Sequence, residues 1–72
     1  MGNRLLPGTI GERIRDLRTG RRMTQDELAK AVDVTRQTIN AIENDKYNPT
    51  LELAIKLARY LSTPVEELFI LD

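Results

Sequence analysis

Arg36, Gln37, Asn40 and Ala41 are the side chains with the most specific chemistry in this sequence. An arginine offers a fork of donors that fits guanine O6 and N7. Glutamine and asparagine carry the donor and acceptor pair that fits adenine, and a small methyl meets the thymine methyl group. With about 100° of turn per residue, a helix that buries Ile39 and Ile42 turns Arg36, Gln37, Asn40 and Ala41 to its other side. No acid shares that side. An ordinary solvated helix face is also polar, but an acid-free one between two capped helices points to a surface made for base edges.

Such a face needs elements that hold it out, and residues 25 to 44, QDELAKAVDVTRQTINAIEN, supply them. Thr24 and Glu27 form a T-x-x-E capping box for a helix from Gln25 to about Ala31. Thr35 caps the next helix. Leu28, Ala29 and Val32 give the first of these helices its apolar face, and Ala29 is small where a second helix must cross closely. The turn Val32-Asp33-Val34 is tight, and Asp33 tolerates a left-handed backbone. Together these features predict a helix-turn-helix. Ahead of it, Ile10, Ile14 and Leu17 mark the core side of a helix over about 11–20. Behind it, Asn48-Pro49 breaks the chain and Thr50 caps a helix to about Leu61, with Leu53, Ala54, Leu57, Ala58 and Leu61 as its stripe. Thr63-Pro64-Val65-Glu66 predicts a short fifth helix with Thr63 as N-cap and Glu66 as capping-box acid.

The expected fold class is therefore all-α, one compact domain of five helices. Its division is an N-terminal arm over 1–9, the domain over 10–69 and a tail over 70–72. Seventy-two residues, 40% of them apolar, form one small core. The chain has no Cys and no His, so Ser-His or Cys-His catalytic pairs are impossible and a zinc site would need carboxylates alone. No cofactor, metal or small-molecule ligand is expected. The absence of Cys is compatible with a reducing cytoplasm. No apolar run approaches the roughly 20 residues of a membrane span, and the first nine residues lack the core of a signal peptide. Formal net charge is zero, yet it is polarised. Residues 1–40 carry eight Lys or Arg against five Asp or Glu, whereas residues 41–72 carry three against six. The motif lies mostly in the basic part, and Arg13, Arg15, Arg18, Arg21 and Arg22 cluster on or just after the first helix. Nonspecific DNA binding should be weak and only modestly salt-dependent.

The runs IGERIRDLR at 10–18, MTQDELAKAV at 23–32, VTRQTINAIENDKYNPTLELAIKLARYL at 34–61 and TPVEELF at 63–69 resemble the Cro/C1-type, or xenobiotic-response-element, helix-turn-helix regulators. RQTINAIENDKYNP is most similar to the small cytolysin-type repressors. The resemblance implies a lambda-repressor-like domain that binds operators as a homodimer, with Arg36, Gln37, Asn40 and Ala41 on base edges. It further implies Gln25, Thr35, Thr38, Asn44 and Lys46 on the DNA backbone, Gln25 at the N-terminus of its helix. Many family members place Gly where this chain has Arg22, Asp33, Asp45 and Ser62, at helix ends that often turn left-handed. In related phage-type repressors the positions of Arg18 and Glu43 hold a buried ion pair. Glu43 lies at a helix C-terminus, where the dipole disfavours an acid unless a cation compensates.

The apolar ending Leu68-Phe69-Ile70-Leu71 needs cover. Either Leu51 and Ile55 cover the protein's own core, or they join Val65, Leu68 and Ile70 in a patch that needs another chain; the second, a dimer interface through which two recognition helices read an inverted repeat of double-stranded DNA, is the expected one. The ending can also pair as a short strand with Asn3 to Leu6 or with a partner. The expected function is a sequence-specific transcriptional regulator acting as a repressor. An alternative from another class is an antitoxin or transcriptional bridging module working through protein contacts, which the acidic C-terminal half accommodates. A small acid-based hydrolase is a poor fit, because no Asp or Glu has a recognisable catalytic partner.

Overall fold

A computed structural model describes residues 8–69 of the chain. Five helices follow one another: α1 (Ile10–Gly20), α2 (Gln25–Ala31), α3 (Arg36–Glu43), α4 (Leu51–Tyr60) and α5 (Val65–Leu68). Each of the first four begins on a threonine whose hydroxyl accepts the N3 backbone N–H: Thr9, Thr24, Thr35 and Thr50. Thr24 and Glu27 form the expected capping box, and Thr9 with Glu12 forms a second one, so α1 starts a residue earlier than its apolar spacing indicates. The cap expected at Thr63 is not formed. Thr63 belongs to the turn that ends α4, where its N–H bonds Ala58 O and its hydroxyl donates to Leu61 O. Pro64 therefore occupies the N-cap position of α5, with no side-chain cap.

Four helix ends share one device. Arg22, Asp33, Asp45 and Ser62 all have positive φ, at 57°, 63°, 59° and 53°. At each, the left-handed residue bonds back to one carbonyl and its successor to the carbonyl before it, as in Arg22 N–H to Thr19 O and Met23 N–H to Arg18 O. These are Schellman turns built without glycine.

The core joins Ile14, Leu28, Ala29, Val32, Ile39, Ile42, Leu53, Leu57, Leu61 and Leu68, with Ile10 and Leu17 packed against it. Leu68 corrects an expectation. It is fully buried within its own chain, because α5 folds back onto α1 and α4, and so it is no surface contact for a second subunit. Ile70 and the strand pairing expected for residues 3–6 lie outside the described residues.

Inside this core sits one bidentate ion pair. Arg18 Nε lies 2.6 Å from Glu43 Oε2 and Arg18 Nη2 3.0 Å from Glu43 Oε1, with the side chains 11% and 2% exposed. Arg18 Nη1 also donates to Met23 O at 2.7 Å. The pair locks α1 to the C-terminal turn of α3. At Gly11 the two helices touch: an added Cβ would lie 2.5 Å from the carbonyl oxygens of both Ile42 and Glu43. Asp45 closes the same seam by accepting from Gly11 N at 2.9 Å and from the Thr9 hydroxyl.

Two outcomes follow for stability. Glu43→Leu strands the Arg18 charge and should cost about 3–5 kcal/mol, whereas Arg18→Met with Glu43→Leu should recover most of that loss in urea unfolding. Small additive effects would contradict the buried pair. Arg22→Gly relieves a left-handed arginine at an exposed site and should gain about 0.5–1 kcal/mol, after the entropy of glycine is offset. The gain should exceed that of Asp33→Gly, since aspartate tolerates this conformation. Equal thermal midpoints for Arg22→Gly and the parent would refute it.

Candidate nucleic-acid interface

Helix α3 projects its polar side chains because Ile39 and Ile42 point into the core and Glu43 is tied to Arg18. Arg36, Gln37 and Asn40 are exposed, and Ala41 is half-buried beside them. With Gln25 from α2, Arg36, Gln37 and Asn40 line one open cleft. The four expected base-reading residues are thus on one side of one helix, with no carboxylate between them. Gln25 is half-buried at the edge of that cleft, and Asn40 Oδ1 lies 3.4 Å from Asn44 Nδ2.

The residues expected on the DNA backbone surround that face. Thr35 is exposed at the N-cap of α3, and its hydroxyl lies 3.1 Å from that of half-buried Thr38. Asn44 Nδ2 donates to Asn40 O at 2.8 Å, which places an exposed amide at the C-terminal end of the face. Lys46 is exposed, in the loop that begins as its N–H bonds Ala41 O. Gln25 begins α2 as expected, but its side chain is committed inward, Nε2 donating to Glu43 Oε1 at 3.0 Å. Tyr47, next to Lys46, is 44% exposed and was not singled out by sequence; an aromatic beside a lysine in the loop after α3 was the available signal.

Electrostatics is less basic here than residue counting indicates. Arg13 and Arg18 are buried in the fold. Arg13 Nε donates to Leu68 O at 3.0 Å, and its Nη1 donates to Gly8 O, so this arginine braces α5 and the start of the domain. Arg21 is exposed but donates to Leu61 O at 2.9 Å. Of the arginines grouped by sequence, Arg15 and Arg22 are exposed, with no side-chain hydrogen bond among the described residues. Among those residues, no group of acids, His or Cys could hold a metal ion, and no helix is long and apolar enough to cross a membrane.

The likenesses of the chain agree with this geometry. A helix-turn-helix family model matches residues 14–68. An HTH-type transcriptional regulator of Archaeoglobus fulgidus is 53% identical over 60 residues, spanning 83% of this chain and 86% of that protein. Among solved structures, the P22 c2 repressor in complex with a synthetic operator superposes with a TM-score of 0.86 at 29% identity, over 92% of this chain and 100% of that one. The biofilm master regulator SinR in complex with DNA superposes with a TM-score of 0.77 at 28% identity, covering 83% of this chain and 97% of that one. Sequence and structure therefore converge, and this chain belongs to the Cro/C1-type helix-turn-helix family of transcriptional regulators.

Proposed function

We propose that the protein binds double-stranded DNA sequence-specifically as a homodimer, with α3 in the major groove of each half of an inverted-repeat operator, and represses transcription by occupying it. The observation that carries the reading is the acid-free exposed row Arg36, Gln37, Asn40 and Ala41 on a helix whose inner face is pinned by Ile39, Ile42 and Glu43. Arg36, Gln37 and Asn40 would meet base edges, and Ala41 a thymine methyl. Thr35, Thr38, Asn44 and Lys46 flank them where phosphates run, with the first backbone amides of α2 at Gln25 on the opposite strand of the groove wall. The P22 c2 repressor and SinR, solved in complex with a synthetic operator and with DNA, support double-stranded DNA as the ligand. The reading assigns the protein no catalytic step, and places it with the DNA in the cytoplasm.

The dimer rests on α4 and the start of α5. Leu51 is 75% exposed and Ile55 37% exposed, and Ile55, Pro64 and Val65 line an open groove beside Ala58. With Leu68 internal, Leu51, Ile55 and Val65 form the surface for a second copy. A subunit of 36 × 24 × 20 Å carries one α3, so two related by a two-fold axis are needed to read half-sites about 34 Å apart.

Selection of bound fragments from random DNA, followed by a footprint, tests the reading as a whole; a protected inverted repeat is expected, and no enrichment would overturn it. Gln37→Ala should lose about 1–3 kcal/mol at one position of each half-site while folding is unchanged. Equal weakening on operator and random duplexes would count against base reading by Gln37. Ile55→Asp places a charge in the apolar contact and should move the protein to monomer in sedimentation equilibrium, with weaker operator binding. A wild type that sediments as a monomer at high concentration would sink the dimer.

A further inference from the structure

We propose that the cleft between the end of α1, the back of α2 and the end of α4 is a docking site for an acidic segment of a partner protein, on a surface separate from the one offered to DNA. Arg21, Arg22, Met23, Glu27, Lys30 and Tyr60 line it, and it forms a shallow open trough of about 400 Å³. Three cations meet one acid there. Glu27 is committed to the capping box, its Oε1 accepting from Thr24 N at 2.8 Å, so its charge is turned to the start of its own helix. Lys30 lies 3.6 Å from Asp26, an exposed pair of the weak kind that a competing carboxylate displaces. Arg21 is steadied by its bond to Leu61 O, which leaves its other N–H donors for a ligand.

Arg22 supplies an independent observation. At φ 57° an arginine is strained where glycine would be relaxed, and its side chain is exposed, with no hydrogen bond among the described residues. Glycine would close the turn equally well, because backbone groups make both of its bonds, Arg22 N–H to Thr19 O and Met23 N–H to Arg18 O. The fold does not use this guanidinium, and strain kept at an exposed cation points to a ligand that does. Beside it, Tyr60 is 45% exposed and Met23 half-buried, which sets apolar surface among the cations. A segment with carboxylates on either side of a leucine or an aromatic residue matches that order of charge and apolar surface. A duplex does not. At about 100° per residue along α2, Glu27 lies about 160° and Lys30 about 140° around the helix from Gln25, which borders the reading face of α3. DNA seated on α3 leaves this side of α2 open, so both partners can be held at once.

The test is selection from a displayed library of random peptides on the full wild-type chain, followed by fluorescence anisotropy with the enriched peptide. Peptides with Asp or Glu flanking an apolar residue should be enriched; no enrichment, or enrichment without acids, overturns the proposal. Arg22→Gly should weaken the peptide about tenfold while melting no lower than the parent, and Lys30→Glu should weaken it at least as much. An Arg22→Gly variant that melts lower returns the guanidinium to the fold and overturns the proposal, as does one that binds the peptide unchanged. Amide NMR of the wild type is independent of mutant folding: resonances of Arg22, Met23, Lys30 and Tyr60 should move on adding peptide while those of Arg36, Gln37 and Asn40 stay in place, and the reverse pattern overturns the proposal. Random duplex DNA should leave the bound peptide in place, and Arg22→Gly should keep duplex affinity within about twofold. Displacement of the peptide by duplex, or a shallower salt dependence of DNA binding in Arg22→Gly, assigns the trough to phosphate and overturns the proposal. Peptide capture is read without DNA, so a failure of operator selection leaves it intact.

Discussion

The Arg18–Glu43 pair is the constraint on which the rest of the molecule depends. Two charges taken out of water are favourable only when their lone pairs and protons are met, and here the carboxylate receives two donors from Arg18 and one from Gln25. Satisfying it forces three things at once. The last turn of α3 must lie against α1, the start of α2 must sit over the same carboxylate, and the connection after α1 must bring Met23 O within reach of Arg18. The angle at which α3 leaves the body follows from these contacts. Gly11 completes the seam, since only a residue without Cβ fits against the Ile42 and Glu43 carbonyls.

Local features were legible in the sequence because local physics makes them. Thr24, Thr35 and Thr50 cap helices through their own hydroxyls, and the three-residue spacing of Ile39 and Ile42 sets the phase of α3 whatever packs on it. The left-handed positions were legible by comparison with a family that favours glycine there, and all four are left-handed here. What sequence did not disclose is what distant parts of the chain do to one another. Leu68 looks like an unpaired apolar residue until α5 folds back, and Asp45 looks like a turn former until Thr9 and Gly11 arrive beside it. Thr63 misled for a related reason: two neighbouring helices competed for it, and the end of α4 won its N–H.

Charge counting failed in an instructive way. Arginine is the cation best suited to an interior, because its planar fork bonds carbonyls and carboxylates without losing its charge. Arg13 and Arg18 are used so, one bracing Gly8 and Leu68 and the other meeting Glu43. A small domain with few apolar layers gains long-range ties from such residues, at the expense of positive potential outside. Its recognition of a polyanion then leans on shape and fitted hydrogen bonds more than on bulk attraction.

Along α3 the two kinds of work fall on different residues. Ile39, Ile42 and Glu43 face inward, while Arg36, Gln37 and Asn40 face outward and contribute nothing to the core. Mutational drift at the outward positions is therefore nearly free of a folding penalty, and a duplicated copy of the gene can explore new target sequences without first acquiring compensating stability. Inward positions have no such freedom. On the proposed DNA reading the fold is a fixed mount with an exchangeable reading head, and divergence among paralogues should concentrate on one face of a single eight-residue helix.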